Sequence, residues 1–179
     1  MNLFSQRKEK SNRELIEQIL LEKYNQYYQL AYQYTHSETD AFDIVQTGAC
    51  KAIECSHMLK KPEYAGTWIY RIMLNECFRY LKQPMYLSYE VMQEKNELKD
   101  MTEDRYMDVD LHKALNTLSN KDRAVIILKY FEDMKISEVA RVLRENENTI
   151  KSRLYRSIKK LNVLLSDEKV ERNGEVNEG

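Results

Sequence analysis

The residues Ile136-Ser-Glu-Val-Ala140-Arg-Val-Leu143, the polar turn Arg144-Glu-Asn146, and Asn148-Thr-Ile150-Lys-Ser-Arg-Leu154 carry a helix-turn-helix pattern. Val139, Leu143, Ile150 and Leu154 recur at helical spacing and form the apolar seam between two crossing helices. Ala140 is small where those helices must approach each other closely. Thr149, Lys151, Ser152, Arg153 and Arg156 fall outside the seam. A helix lying in a DNA major groove needs this division, with apolar residues underneath and short polar and long cationic side chains on top. The bland alternative is an amphipathic hairpin with a solvated basic face. Small residue, turn length and one-sided charge agree better with duplex binding. The turn lacks glycine, so Arg144 or a neighbour must adopt an unusual backbone angle, Asn146 being the most tolerant.

Charge supports this outside the motif. Between Arg141 and Lys160 stand seven basic residues against two acidic ones, whereas between Gln83 and Asp108 stand seven acidic residues against three basic. The net charge of −1 conceals that asymmetry. In 179 residues there are only 4 Gly and 2 Pro, too few turn-formers for a many-stranded sandwich or barrel, so helices with short connections are expected. A mean hydropathy of −0.70 and the brevity of apolar runs such as Ala124 to Leu128 exclude an evident membrane span. Met1 to Ser11 has no apolar signal region, and a cytoplasmic protein is expected.

Catalytic and metal chemistry find little support. Cys50, Cys55 and Cys77 make no disulfide framework and no Cys-x-x-Cys pair; they are expected to be buried or half-buried thiols. His36, His57 and His112 lack zinc-ligand spacing, and no phosphate loop or hydrolase motif occurs. No enzyme activity, metal or cofactor is expected.

Working back along the chain, Ser11-Asn-Arg-Glu14 reads as a capping box opening a helix to about Tyr34. A second helix is predicted from about Asp40 to Leu59, ended by Lys60-Lys61-Pro62, and a third from Thr67 to Lys82, with Ile69, Ile72, Met73 and Leu81 inward. The stretch after Pro84 has no sustained apolar period and reads as a flexible acidic linker, with at most a marginal helix around Glu90 to Leu98. Periodicity returns at Val109; Ser119-Asn-Lys-Asp122 caps a helix through about Phe131, and helices over Ser137 to Leu143 and Glu147 to Leu165 follow. The tail after Ser166 is polar and expected to fray. The fold class is therefore all-α: two small helical domains over residues 1–83 and 109–166, joined by a linker over 84–108 and followed by a polar tail over 167–179.

Ala114-Leu115-x-x-Leu118, Arg123-x-Val-Ile126, Leu128-x-Tyr-Phe131, Glu138-Val-Ala140 and Thr149-Ile-Lys-Ser-Arg-Leu154 resemble domain four of the extracytoplasmic-function (ECF, group four) sigma factors of bacterial RNA polymerase. The resemblance implies that Glu147, Asn148, Thr149, Lys151, Ser152, Arg153 and Arg156 face the minus-thirty-five promoter element. It makes Ile126, Ile127, Tyr130 and Phe131 candidates for the cup that takes the tip of the polymerase beta flap, or simply for the core, with core favoured for at least half. Asp40-Ala-Phe-Asp43-Ile-Val-Gln46 is similar to the family's D-A-x-D-x-x-Q signature. Steps of three put Asp40, Asp43 and Gln46 on one strip about 120° wide, which in the family docks on the beta-prime clamp helices, whose arginines suit carboxylates. Acids in a first helical turn also favour the helix dipole, which accounts for Asp40 but not for Gln46.

Trp68-Ile-Tyr-Arg71-Ile-Met-Leu-Asn75, followed by Tyr80-Leu-Lys82, resembles the family segment that reads the minus-ten element. Holding one strand open must repay about 1.4 kcal/mol for each lost stacking step, and a base pocket with cations along the strand can do so. Lys60, Lys61 and Tyr64 in the loop, with Arg71, Asn75, Arg79 and Lys82 on the helix, are placed along that strand; Trp68 is read as a core anchor. Gly48 inside the second helix costs about 1 kcal/mol relative to Ala, which points to close packing or to drift. The resemblance covers about Leu15 to Leu165 and implies a promoter-selecting subunit that binds core polymerase, promoter DNA and an anti-sigma factor, often membrane-anchored in that family. It also implies that the acidic linker enters the positively charged active cleft, the alternative from the residues alone being a merely solvated tether. The competing account is a stand-alone helix-turn-helix regulator that dimerises on a palindrome, for which the Asp40–Gln46 strip has no use.

Overall fold

Ser37 and Ser119 each turn the chain into a helix by the same device. The Ser37 hydroxyl accepts from the Asp40 backbone N–H at 3.3 Å, and the Ser119 hydroxyl accepts from that of Asp122 at 3.3 Å. The computed structural model describes residues 3–82 and 111–175, all of whose regular elements are helical. In the first half these are α1 (Leu3–Glu22), α2 (Tyr24–Thr35), α3 (Glu38–Glu54) and α4 (Ala65–Tyr80), with 3-10 turns at Ser56–Met58 and Pro62–Tyr64. In the second half residues 111–116 are helical, followed by α5 (Asn120–Ile126), a π-type turn (Ile127–Phe131), α6 (Ile136–Leu143) and α7 (Glu147–Glu175). The π-type turn is marked by the Glu132 N–H, which donates to the Ile127 carbonyl at 3.1 Å. The acidic stretch 84–108, with the marginal helix expected around Glu90 to Leu98, lies outside the described residues.

Several boundaries differ from expectation. Ser11 does not cap a helix, because α1 already begins at Leu3 and passes through it. Arg7, Lys8, Glu9 and Lys10 are good helix formers. Asn12, which is buried, spends its amide on the carbonyls of Ser56 at 3.3 Å and Leu59 at 3.0 Å, tying α1 to the turn after α3. One helix to Tyr34 is instead two, broken at Lys23 (φ −110°, ψ 17°). At the other end α7 continues to Glu175, past the last apolar residue of its period, so the frayed tail is corrected to helix over most of its length. Once a helix is nucleated, each further residue adds a hydrogen bond at little cost.

α2, α3 and α4 pack as a three-helix unit on which α1 lies, around Tyr27, Leu30, Ala31, Ile44, Val45, Ile69, Met73 and Leu74. Leu81, expected inside, is exposed, and Trp68 is half-buried against this core. Gly48 is explained by closeness rather than drift. A Cβ there would stand 2.4 Å from the Met73 sulfur, so the absence of a side chain lets α3 settle on α4. Beside it, buried Glu76 is neutralised by Lys51 Nζ at 2.6 Å and by Arg79.

The two halves also touch. The core of the first unit runs on without interruption into Ala124, Val125, Ile127, Leu128, Val139, Ala140, Val142 and Ile150. A smaller cluster (Ala114, Leu115, Leu118, Ile126, Leu161) closes the far side of α7. Arg123, only 3% exposed, crosses the seam: its guanidinium donates to the Gln33 carbonyl near the end of α2, to Asn116 Oδ1 at 2.6 Å, and lies 4.6 Å over the Tyr34 ring. Tyr70 on α4 donates its hydroxyl to Glu132 Oε2 at 2.5 Å. His36 and His112 meet edge to face at 4.6 Å, and burial with the nearby His112 and Arg123 pushes His36 down to about 4, leaving it neutral near pH 7.

The closeness of Gly48 to Met73 predicts that Gly48→Val destabilises by about 1–3 kcal/mol through overpacking. Gly48→Ala is expected to be much milder, because better helix propensity offsets a shift of the flexible Met73 side chain. In a thermal-melt double-mutant cycle with Met73→Ala the Gly48→Val penalty shrinks; strict additivity of the two changes would refute the contact.

Candidate nucleic-acid interface

The second helix of the motif, α7, is held by a compact set of polar contacts. Asn146 caps α7, its Oδ1 accepting from the Thr149 N–H at 2.8 Å and from the Thr149 hydroxyl at 3.0 Å. Arg144 takes the left-handed angle the glycine-free turn required (φ 55°, ψ 43°), and the Lys135 N–H donates to Glu138 Oε2 at 2.8 Å where α6 begins. Val139, Ala140 and Ile150 are buried in the α6–α7 seam, with Leu143 and Leu154 half-buried at its edge. Glu147, Asn148, Lys151, Ser152 and Arg156 are exposed on α7, and Thr149 is partly so. These residues share the first turns of α7, in keeping with their spacing.

Arg153 is the exception among them. Its guanidinium binds Glu145 Oε2 at 2.8 Å and Asp122 Oδ1 at 2.8 Å, and Lys121 adds a bond to Glu145 Oε1 at 2.7 Å. The Lys121 and Arg153 bonds hold the Glu145 carboxyl below the ordinary range in spite of burial. Burial pushes Asp122 upward, but bonds from Ser119 and Arg153 outweigh it and leave it lowered. Arg153 is therefore a tie between α7, the turn and α5 rather than a free cation.

In the first half Asp43 and Gln46 are exposed on α3, while Asp40 is half-buried with its carboxylate accepting from the Tyr80 hydroxyl at 2.9 Å. Gln46 borders an open apolar groove of about 470 Å³ between α1, α2 and α3, lined by Leu20, Leu21, Tyr24, Phe42, Val45 and Ile53. Leu21 is 82% and Phe42 50% exposed, a patch that period analysis of single helices could not reveal because it needs three of them side by side. Lys60, Lys61, Tyr64, Asn75, Arg79 and Lys82 are exposed along the loop and α4. Arg79 also pairs with Glu76. Lys61 Nζ and the Arg141 guanidinium lie 5.7 and 4.6 Å from the Tyr64 ring centre. Arg71 is half-buried, donating to the carbonyls of Val142 and Arg141, each at 3.2 Å. On the helix-turn-helix side Tyr130 and Phe131 are exposed, whereas Ile126 and Ile127 are core.

The expected thiols divide into an exposed Cys50, an intermediate Cys55 and a buried Cys77, so Cys50 is corrected from buried or half-buried to surface. It lies on the solvent side of α3, away from the three-helix core. Among the described residues no cluster of three or more His, Cys, Asp or Glu suits a metal, and no helix is long and apolar enough to cross a membrane.

The model of sigma-70 region 2 matches residues 20–84, and that of sigma-70 region 4 matches residues 108–161. RNA polymerase sigma factor SigV of Bacillus subtilis is 32% identical over 162 residues, covering 90% of this chain and 98% of SigV. The chain belongs to the ECF sigma factors of the sigma-70 family. The sigma factor directs RNA polymerase to promoters, and its region 2 match leaves a stand-alone helix-turn-helix regulator unsupported. Its fold is shared with CnrH, solved with the cytosolic domain of CnrY (TM-score 0.67, 22% identity, 91% of this chain and 95% of CnrH). It is shared too with RpoE of Bartonella quintana, solved with the anti-sigma factor NepR (TM-score 0.63, 22% identity, 84% of this chain and 96% of RpoE).

The Arg153 network sets a pH dependence. Both carboxylates titrate below their unfolded values, so the network's contribution is full above about pH 5 and fades as pH falls through the depressed range. Glu145→Gln is expected to cost about 1 kcal/mol at pH 7 and to flatten the acid-side loss of stability seen in thermal melts by circular dichroism. A mutant whose stability declines as steeply as the parent's below about pH 5 would reject the network.

Proposed function

We propose that this sigma factor engages core polymerase and promoter through three surfaces at once. The observation that carries it is the exposure of Asp43 and Gln46 side by side on α3, at the rim of an open apolar groove. Carboxylate and amide are suited to guanidinium forks on the beta-prime clamp helices, and the groove supplies apolar area beside them. Asp40, held by Tyr80, completes the strip from within. The exposed Tyr130 and Phe131 offer the beta flap tip an apolar contact.

The loop carrying Lys60, Lys61 and Tyr64, with Arg71, Asn75, Arg79 and Lys82 of α4, holds the opened minus-ten strand: cations follow the phosphates and the Tyr64 ring supports a base. The exposed residues of α7, namely Glu147, Asn148, Thr149, Lys151, Ser152 and Arg156, read the minus-thirty-five duplex, with Arg153 positioning them through Glu145 and Asp122. The domains follow residues 1–83 and 109–166, with the acidic linker 84–108 passing toward the active cleft and the tail 167–179 beyond. The chain works in the cytoplasm and catalyses no reaction itself. An anti-sigma factor restrains it, which the pairing of the similar RpoE with the anti-sigma factor NepR supports; a membrane anchor on that partner is part of the proposal alone.

Two outcomes are expected. Asp43→Ala with Gln46→Ala lowers retention of core polymerase in pull-down at least tenfold, and undiminished retention would remove the strip from the docking surface. Lys151→Ala with Arg156→Ala makes log K for duplex promoter DNA fall less steeply with log salt, by about 1.8, close to 0.9 for each phosphate no longer neutralised. An unchanged slope means that neither residue touches phosphate.

A further inference from the structure

Asn12 is polar where the pattern of α1 calls for an apolar residue. With Ile16 and Leu20 it makes the buried face of that helix among the described residues, at steps of four. An amide taken from water is costly unless its hydrogens find acceptors. Asn12 Nδ2 has one hydrogen for each of two carbonyls, and donates to that of Ser56 at 3.3 Å and to that of Leu59 at 3.0 Å. Packing alone would be served as well by Leu. What the amide adds is the two bonds.

Those two carbonyls bracket the 3-10 turn Ser56–Met58, which the Leu59 N–H closes on the Ser56 carbonyl at 3.1 Å. Ser56 and Leu59 are themselves buried. From Leu59 the chain runs out extended (φ −70°, ψ 103°) into the exposed Lys60 and Lys61, and the next turn brings Tyr64 to the surface. The Tyr64 N–H donates to the Lys61 carbonyl at 3.0 Å, and the Thr67 hydroxyl donates to the Tyr64 carbonyl at 3.0 Å. The loop thus hangs between two side-chain anchors, Asn12 at its start and Thr67 at its end.

The anchors differ in kind. Thr67 reaches back three positions on the surface and holds the loop to α4. Asn12 reaches 44 and 47 positions along the chain, shielded from water, and fixes the loop against α1. A hydrogen bond sheltered from solvent is stronger than one in water. Holding an unstacked base needs the ring and the cations in place before the strand arrives, because ordering them on contact subtracts from binding. A shift of about 1 Å in the supporting groups is enough to weaken such a site.

Resting on the minus-ten role proposed above for Lys60, Lys61 and Tyr64, we infer that Asn12 is the positioning residue of their loop. It touches no DNA. Through the Ser56 and Leu59 carbonyls it sets where the two cations and the ring meet the opened strand, so α1 takes part in the choice of minus-ten bases.

Asn12→Leu keeps the volume and removes both donors. Opening is read by permanganate reactivity on a promoter fragment selected with the parent chain and core polymerase, and on single-base substitutions across its minus-ten element. Asn12→Leu is expected to lose at least tenfold of opening on the selected fragment, and its preference for that fragment over the substituted ones shrinks at least fivefold. Retention of core polymerase and binding to minus-thirty-five duplex stay within twofold. A chain that is merely less stable would lower opening on every fragment by one factor. That outcome overturns the inference, as do opening and preference equal to the parent's. Should Asn12→Leu fail to fold, Asn12→Asp has the native shape and serves instead. Burial and the two carbonyl oxygens raise its carboxyl, and only the protonated form can donate. Its opening relative to the parent is expected to rise at least threefold from pH 8 to pH 6, and a flat ratio overturns the inference. Lys60→Ala with Lys61→Ala and Tyr64→Ala separates this from the reading beneath it. Opening by that triple variant equal to the parent's would sink the loop's minus-ten role, and the inference with it. If the triple variant fails to open while Asn12→Leu matches the parent, the inference alone falls.

Discussion

Arg123 is a cation with almost no access to water, and much of the architecture is arranged to make that tolerable. A guanidinium removed from solvent needs several well-placed acceptors. It finds the Gln33 carbonyl near the end of α2, the Asn116 amide oxygen and the face of Tyr34. Satisfying this one side chain brings α2, residues 111–116 and α5 to a single point. The apolar seam from Tyr27 through Val139 and Ile150 then closes around that point.

The same economy recurs elsewhere. Glu76 lies inside the first unit, and Lys51 and Arg79 approach it from the surface. Arg153 gathers Glu145 and Asp122, so that the turn and the start of α5 are tied to α7 by charge as well as by Ala140 and Ile150 beneath. In both places a side chain that looks available for DNA on a helical wheel is partly engaged in holding the scaffold. The cations beside Arg153 on α7, Lys151 and Arg156, stay exposed. An interface built this way is rigid where it is presented and charged where it meets solvent.

The helix-turn-helix was legible because its signals are local. Apolar spacing, a small residue at a crossing and a capping serine act within a few residues of one another, and all appear where period and composition placed them. The absence of glycine in a tight turn called for an unusual angle somewhere in it; the structure puts that angle at Arg144, while Asn146, the most tolerant candidate, caps α7 instead. The start of α1 was misplaced for a related reason: Ser11 and Glu14 have the chemistry of a cap, but helix formers upstream and the anchoring of Asn12 carried the helix past them. A cap motif states what a terminus can use, not that one is present.

From the order of its residues alone this chain is committed to helices, to a basic helix after Asn146 and to a carboxylate-amide strip on α3. Each of these follows from interactions within about four positions. Tertiary structure alone decided that Gly48 makes room for Met73, that Arg153 and Arg71 are engaged while Lys151 and Arg156 are exposed, and that an apolar groove opens beside Gln46. It alone joined two separately periodic halves into one core. Those outcomes depend on which residues meet across tens to a hundred positions of chain, and periodicity along a single helix carries no information about such meetings.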